Sequence, residues 1–418
     1  MAEASAQASR APRALGGWGI AFITFNAIIG AGIFGLPGKL DSAVGGFAPW
    51  LILFAGLAMM LIALCYADLA TRFDSSGGPQ LFADAAFGEF VGFQTGWMYW
   101  AARVAGSAAN ATVLGAYAAT VFPHASPTLI AVAAVALVTL LNLASLGRVV
   151  ATLGLLSPFK LIPLLVVCAA ALLAFGPPAM AAPPNFGAAG GVALVAIYAF
   201  VGFEAATLTA GETRDPKRAI PQALIGTLAL VTAVYVLVQL AYSGSALGES
   251  DTPLADLATL TIGPWGQLLI VAPAVVSIFA NLSCALTSLP RITAAMAERR
   301  QLPDVFAKRF ANGSPYVSVC LFGGVAIALA ASGTFVFLVV VGTLARLFTY
   351  ALSALAIPAL DRRAGAGPRW IRGILLPAAA TLFCLWAASQ SGSDEWLTFA
   401  GFFAAGAMLY GLARWAVR

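Results

Sequence analysis

Long apolar runs, separated by short polar or Pro/Gly-rich segments, make up most of this chain. Because a helix needs about 20 consecutive apolar residues to cross a lipid bilayer, the pattern predicts about twelve transmembrane helices. In the first half they lie near residues 15–36, 47–70, 90–122, 127–146, 152–175 and 190–210. In the second half they lie near residues 220–243, 264–285, 316–331, 335–360, 373–389 and 396–415. We therefore expect an all-α membrane protein.

The basic residues between these runs indicate the orientation of the chain. On one side, alternate loops carry nearly all of the Lys and Arg residues, for example Arg72, Arg148 and Arg214, whereas the loops on the other side have only Lys39. Cytoplasmic loops of membrane proteins are enriched in Lys and Arg. The sequence therefore predicts a multi-pass protein of the cell membrane (a bacterial inner or plasma membrane) with both termini in the cytoplasm.

The composition agrees with a membrane protein. The 418 residues are 61% hydrophobic and 9% charged, whereas an average soluble domain is about 25% charged. A soluble globule has too little interior to bury so much apolar surface. The net charge of +5 follows from the basic loops on one side and does not indicate nucleic-acid binding. The five cysteines are scattered through apolar stretches and His124 is the only histidine, so we expect no metal site and no cofactor.

Two of the predicted spans are interrupted near the middle by small residues. The first contains Gly30-Ala31-Gly32, and the sixth contains Gly202 shortly before Glu204. Taken singly, each glycine is more typical of close helix packing. At corresponding positions of two five-helix halves, they indicate unwound helices in an inverted-repeat transporter. An unwound helix at membrane depth must line a cavity or be buried in protein, where its backbone groups find partners.

The two breaks present complementary chemistry. The N–H groups of Ala31, Gly32 and Ile33 begin a half-helix, whose positive dipole end suits a carboxylate. Free carbonyl groups near Phe200 and Val201 would suit an ammonium group. Because an α-amino acid carries both groups at a fixed separation, we expect this substrate class. The other candidate substrate-binding residues are Ile28, Gly30, Arg103, Tyr198 and Glu204.

Motifs at three separated places resemble those of the amino acid–polyamine–organocation (APC) transporters. Residues 28–37 read I-I-G-A-G-I-F-G-L-P, close to the family's G-x-G-I-F-x-L-P. Residues 198–204 read Y-A-F-V-G-F-E, and residues 212–221 read E-T-R-D-P-K-R-A-I-P. These resemble the family's aromatic-x-G-x-E segment and its N-P-x-R-x-I-P loop, and residues 291–306 resemble a third signature. The chain departs from the family at Gly211-Glu212 and at Glu298-Arg299-Arg300, where two acids and Arg-Asp-Gly are usual.

The resemblance implies a LeuT-type fold with two inverted five-helix repeats and two additional helices. The repeats would span residues 14–175 and 176–360, with the additional helices in residues 361–418. Residues 1–13 are polar and Ala/Ser-rich, and we interpret them as a disordered cytoplasmic tail. The resemblance also implies that the substrate binds between spans one and six, with spans three, eight and ten around it.

Several ionisable residues lie inside predicted spans, where a charge is expensive and a function is expected by default. In sodium-independent members of the resembled family a lysine of span five replaces a sodium ion, and Lys160 stands at that place. Lys160 and Glu204 are the candidates for coupling and gating, because burial favours the neutral form of either group. Arg103 is predicted either to pair with Glu204 or to meet an acidic part of the substrate. Arg346 is assigned no role.

We expect a secondary active transporter of neutral amino acids that works by alternating access, without sodium, through proton symport or exchange. One of the aromatics Tyr198, Phe200 and Phe203 is predicted to close over the substrate. The partners would be the amino acid, the lipid bilayer and protons, with no nucleic acid and no obligate accessory subunit. The alternative within transport is a carrier of polyamines or of other organic amines or amino-acid derivatives, which Arg103 and Lys160 disfavour by their charge.

Two other classes of protein fit the sequence less well. A channel needs a continuous polar lining, and no predicted span carries a regular polar stripe. An enzyme needs a catalytic set, and the sequence offers no histidine cluster and no H-E-x-x-H motif. We therefore expect that the protein is not an enzyme.

Overall fold

The computed structural model describes residues 16–73, 77–144, 161–179, 186–365, 367 and 369–415, without the side chains of residues 186–189. Within these ranges the regular elements are all helical. The predicted tail at residues 1–13 and the predicted coupling residue Lys160 lie outside the described residues.

The helices follow the apolar runs of the sequence. The first eight are α1 (Gly17–Ile28), α2 (Gly32–Val44), α3 (Ala48–Ala70), α4 (Gly78–Phe87), α5 (Glu89–Ala119), α6 (Pro127–Leu143), α7 (Leu161–Phe175) and α8 (Phe186–Tyr198). The next eight are α9 (Ala205–Leu208), α10 (Pro216–Gly244), α11 (Pro253–Ile262), α12 (Pro264–Glu298), α13 (Tyr316–Ser332), α14 (Phe335–Arg363), α15 (Leu376–Ala388) and α16 (Ser393–Trp415).

The distribution of polar and apolar side chains is that of a protein in lipid. Large apolar side chains such as Leu173, Leu382 and Leu397 are largely exposed, whereas Glu204 and Arg346 are buried. Among the described residues, six helical stretches are long and apolar enough to cross a membrane. They are Gly32–Ala70, Pro216–Gly244, Pro264–Glu298, Phe335–Arg363, Trp370–Ala388 and Ser393–Trp415. The structure is therefore that of a multi-pass helical membrane protein.

One predicted span is longer in the structure than in the sequence analysis. The run near 264–285 continues as helix α12 to Glu298. Arg291 ends the apolar run but does not end the helix, because a basic residue has a high helix propensity and reaches polar surroundings at the membrane edge. Part of the third family signature therefore lies on a helix and not in a loop.

Two packed groups of helices surround the centre of the molecule. Helix α10 packs along α3 and α1, and helix α14 packs along α5. The α3–α10 crossing is close, since a Cβ atom on Gly56 would stand 2.6 Å from the side chain of Thr232. Small residues at such crossings let helix backbones approach in a membrane. Of the broken helices, α2 contacts both α10 and α5, and α8 contacts both α3 and α14.

Candidate substrate site

The first break separates α1, which ends at Ile28, from α2, which begins at Gly32. The N–H groups of Phe34 and Gly35 donate to the carbonyl oxygen of Ala31, at 3.0 and 2.9 Å. The N–H groups of Gly32 and Ile33 donate no hydrogen bond to another described residue. They belong to the first turn of a 13-residue helix, where free N–H groups and the helix dipole attract an anion.

Two asparagines hold this break in place. The N–H of Ala31 donates to Oδ1 of Asn110 at 3.3 Å, and Nδ2 of Asn110 donates to Oδ1 of Asn281 at 3.0 Å. Nδ2 of Asn281 donates in turn to the carbonyl oxygen of Asn26 at 3.3 Å. Side chains of α5 and α12 thus supply hydrogen bonds that the backbone loses where the helix is unwound. Backbone groups at membrane depth need such partners because no water is available there.

The second break lies between α8, which ends at Tyr198, and the short helix α9. At its centre Gly202 has φ +119°, and a Cβ atom there would stand 2.4 Å from the carbonyl oxygen of Ala27. Only glycine fits this conformation and this contact without strain. The second break therefore touches the last turn of α1, just before the first break.

A buried ion pair fixes the far side of the second break. The Glu204 side chain is fully buried, and its carboxylate accepts hydrogen bonds from the N–H of Gly202 at 3.0 Å and the hydroxyl of Tyr350 at 2.9 Å. Nε of Arg346, on α14, lies 3.4 Å from Glu204 Oε1. The predicted partner Arg103 is therefore not the partner found, and Arg346 acquires a role that sequence reasoning did not assign to it. The side chain of Arg346 on α14, and not that of Arg103 on α5, reaches the carboxylate of Glu204.

A small cavity of about 30 Å³ lies between the two breaks. A volume of this size holds roughly two water molecules, so the cavity has to widen to admit a substrate. It is lined by Ala27, Ile28, Gly30, Ala31, Gly32, Arg103, Gly106, Ser107, Asn110, Tyr198, Val201, Asn281 and Arg346. Most of these residues are small or polar, so the space suits a compact, polar molecule.

One face of α5 supplies much of the polar lining. Arg103, Ser107 and Asn110 stand at positions i, i+4 and i+7, which bring side chains to one side of a helix. Gly106 lies between them and leaves room for Arg346, whose two Nη atoms stand 3.7 Å from the position of a Cβ on Gly106. The expectation that no span carries a polar stripe is therefore wrong for α5. The stripe covers two turns only, and alanine neighbours hide it in the sequence.

Comparison with known proteins supplies the family. A model of the family described as "Amino acid permease" matches residues 15–408, which is nearly the whole chain. The chain belongs to the amino acid permease family. This permease is accordingly a transporter and not an enzyme.

Curated relatives of this permease have related names. The serine/threonine exchanger SteT of Bacillus subtilis is 31% identical over 323 residues, which are 70% of this chain and 69% of that protein. Human cationic amino acid transporter 4 is 28% identical over 73% of this chain and 52% of its own length. An uncharacterized transporter of Mycobacterium bovis is 28% identical over 74% of this chain and 72% of its own length.

The structure brings most of the predicted substrate residues of the permease to one cavity. Ile28, Gly30, Ala31, Gly32, Arg103, Tyr198 and Val201 line it. Ile33, Phe200 and Glu204 do not. Ile33 is buried in α2, the Phe200 ring packs on Tyr235 at 5.4 Å, and Glu204 faces Arg346. Of the three candidate aromatic gates, only Tyr198 reaches the cavity, whereas Phe203 packs against Tyr66 and Tyr350.

Sequence reasoning missed Ser107, Asn110 and Asn281, which also line the cavity. A signal for the first two was present, because they follow Arg103 at helical spacing on one predicted span. An asparagine at membrane depth is also expensive unless it has partners. For Asn281 the single sequence gave no spacing signal, because its partner Asn110 is 171 residues away.

Two groups of ion pairs lie at opposite ends of the permease. We name the first the Asp68 cluster: Arg72 and Arg369 each contact both Asp68 and Asp361. This cluster joins the end of α3 to the end of α14. At the other end, Lys39 of α2 contacts Glu249 at 2.7 Å and Asp251 at 3.0 Å.

Proposed function

We propose that this protein binds an α-amino acid in the cavity between its two broken helices and carries it across the membrane by alternating access. The observation that carries the proposal is the free N-terminal end of α2, which lines the same cavity as residues of the second break. The N–H groups of Gly32 and Ile33 are placed for the α-carboxylate. The carbonyl groups of Ala27 and Val201, both of which line the cavity, suit the ammonium group.

The positive charge of the site argues against polyamines and other organic dications. Arg103 and Arg346 line the cavity, and Glu204 is the acid that pairs with Arg346. The local charge is therefore positive, and it repels a dication. The names of the curated relatives, an exchanger of serine and threonine and a transporter of cationic amino acids, support the amino-acid class.

The proposed mode of transport is sodium-independent exchange or proton symport. The name of the exchanger supports exchange. Independence from sodium rests on Lys160, at the place where the resembled family has a span-five lysine in sodium-independent members. Glu204 remains the second candidate for coupling, and its contact with Arg346 places it where a change of partner would alter the second break.

We also propose twelve transmembrane helices in a LeuT-type arrangement, with repeats in residues 14–175 and 176–360 and two additional helices in residues 361–418. The paired breaks in α1–α2 and α8–α9 support the repeat. The protein would lie in the cell membrane with both termini in the cytoplasm, and it would work without an accessory subunit.

The first test measures thermal stabilisation of the purified protein by the twenty amino acids and a set of polyamines. A ligand that binds only the folded state stabilises it by about 2.7 kcal/mol at a concentration of 100 Kd. We expect stabilisation by a group of amino acids and none by polyamines. Counterflow in liposomes then checks transport, since a carrier accelerates uptake of the labelled ligand when unlabelled ligand is inside. Stabilisation by polyamines alone, or no counterflow with any stabilising ligand, would refute the proposal.

A glycine pair provides the variant and its control. In Gly32→Val, the new side chain meets Ala199, whose Cα lies 3.4 Å from the Cβ position, and we expect stabilisation by amino acids to be lost. In Gly226→Val, on α10, no atom lies within 4 Å of the Cβ position, and we expect stabilisation to be retained. Equal losses in the two variants would show that the carboxylate does not bind beside Gly32.

A further inference from the structure

Arg103 is a charged residue of the cavity that has no partner among the described residues. It lines the cavity, and its Nε is buried without a hydrogen-bond partner. No ion pair or hydrogen bond to another described residue is formed by its guanidinium. The residue as a whole is partly exposed, but a buried guanidinium nitrogen without a partner is costly. The arrangement therefore favours an anion that the protein itself does not provide.

The other charged side chain of the lining has a counter-charge. Arg346 contacts Glu204, although its Nη1 is buried without a hydrogen-bond partner. Asn110 and Asn281 form a hydrogen bond with each other, and each forms another with backbone near the first break. If the α-carboxylate of a substrate binds at the free N–H groups of α2, and its ammonium group binds at carbonyl oxygens, the two backbone charges of an amino acid are satisfied as well. The charge of Arg103 is then still without a partner, and a substrate with a neutral side chain cannot balance it.

The positions along α5 separate Arg103 from the proposed α-carboxylate site. Asn110 contacts Ala31, beside the start of α2. Arg103 is seven residues earlier, which corresponds to about 10 Å along a helix axis. Helical side chains point towards the N-terminus, so the guanidinium extends away from Asn110. Helix geometry therefore separates Arg103 from the start of α2 by about 10 Å, and one carboxylate cannot occupy both places.

We propose that Arg103 binds a side-chain carboxylate, so that the substrate is an acidic α-amino acid with one carboxylate at the start of α2 and another at Arg103. This inference rests on the proposed function and replaces the expectation of a neutral substrate. A guanidinium suits this task because its planar N–H groups can bind a carboxylate in a bidentate manner. The substrate would bring one net negative charge to a site with one net positive charge.

Isosteric ligand pairs provide the main test. Binding of L-aspartate, L-glutamate, L-asparagine, L-glutamine and L-serine to the wild-type protein is measured by thermal stabilisation and by isothermal titration calorimetry. We expect at least one acid to bind about 10- to 100-fold more tightly than its amide, because hydrogen bonds to a charged partner contribute this much. If serine or an amide binds as tightly as the acids, the role of Arg103 is overturned, whereas the proposed amino-acid transport stands. If no amino acid binds, the proposed function itself fails.

Two variants assign the effect to Arg103. In Arg103→Gln we expect the preference for the acid over its amide to disappear, whereas Arg103→Lys retains part of it because the charge is kept. Arg362→Gln, at the exposed end of α14, removes the same charge outside the cavity and should leave the preference unchanged. Equal weakening of acid and amide in Arg103→Gln would show that Arg103 binds the α-carboxylate, which would overturn the proposal. If a variant does not fold, the comparison of acids with their amides on the wild-type protein decides whether the site binds a side-chain carboxylate.

Discussion

Removal of Arg346 should destabilise the protein far more than removal of the whole ion pair. Glu204 has no exposed surface and its carboxylate has three hydrogen-bond donors: Gly202, Tyr350 and Arg346. In Arg346→Met the carboxylate loses its counter-charge and remains buried, which costs about 3–5 kcal/mol. In the double variant with Glu204→Gln, the amide oxygen still accepts from the other two donors and no charge remains. We expect the double variant to recover at least about 2 kcal/mol of that loss.

The assay is a double-mutant cycle on the free energy of unfolding, measured by reversible unfolding in mixed micelles of a mild detergent and dodecyl sulfate. The exposed pair of Glu298 and Arg309, at 2.8 Å, serves as control. Its side chains are 51% and 40% exposed, and such pairs contribute about 0–1 kcal/mol. A coupling energy between Glu204 and Arg346 no larger than that of the control pair would refute the reasoning. It would mean that Arg346 does not stabilise the buried carboxylate of Glu204.

Two further predictions concern the breaks. Gly202→Ala should destabilise the protein by more than about 2 kcal/mol, because its Cβ would meet the carbonyl oxygen of Ala27 in a backbone conformation that alanine avoids. Gly226→Ala, with open space around the Cβ position, should be neutral or slightly stabilising in the same unfolding assay. Asn281→Ala should cost about 1–3 kcal/mol, since it leaves Nδ2 of Asn110 without its acceptor. It should also weaken substrate binding in calorimetry, and unchanged binding would mean that the asparagine pair does not position the first break.

The breaks were predictable from the sequence because their cause is local. The glycines at positions 30, 32 and 202 weaken a helix wherever it is placed, and their occurrence in corresponding spans indicated the paired arrangement. The choice of partner for Glu204 was not predictable in this way. Arg103 and Arg346 are both single basic residues in apolar spans, and which one meets Glu204 depends on how α5 and α14 are rotated around the second break. That rotation is set by packing over the whole helix, which no short motif records.

The polar residues of the cavity also divide into those that the sequence could predict and those that it could not. Ser107 and Asn110 follow Arg103 at helical spacing, so the α5 face of the cavity could have been derived from the sequence. Asn281 could not, because its hydrogen bonds connect it to residues of α1 and α5 that are distant along the chain. The role of Lys160 stays a prediction, since it lies outside the described residues.

The unbalanced guanidinium of Arg103 has an electrical consequence. Displacing one elementary charge through the membrane field involves about 2.3 kcal/mol for each 100 mV. Among the described residues, Arg103, Arg346 and Glu204 together give the site one net positive charge, so reorientation of the empty site would be coupled to the membrane potential. With an acidic amino acid bound as proposed, the site would be electrically neutral and would reorient without this work. Such a carrier returns more readily with a second substrate than empty, so exchange would follow from the charge of the cavity alone.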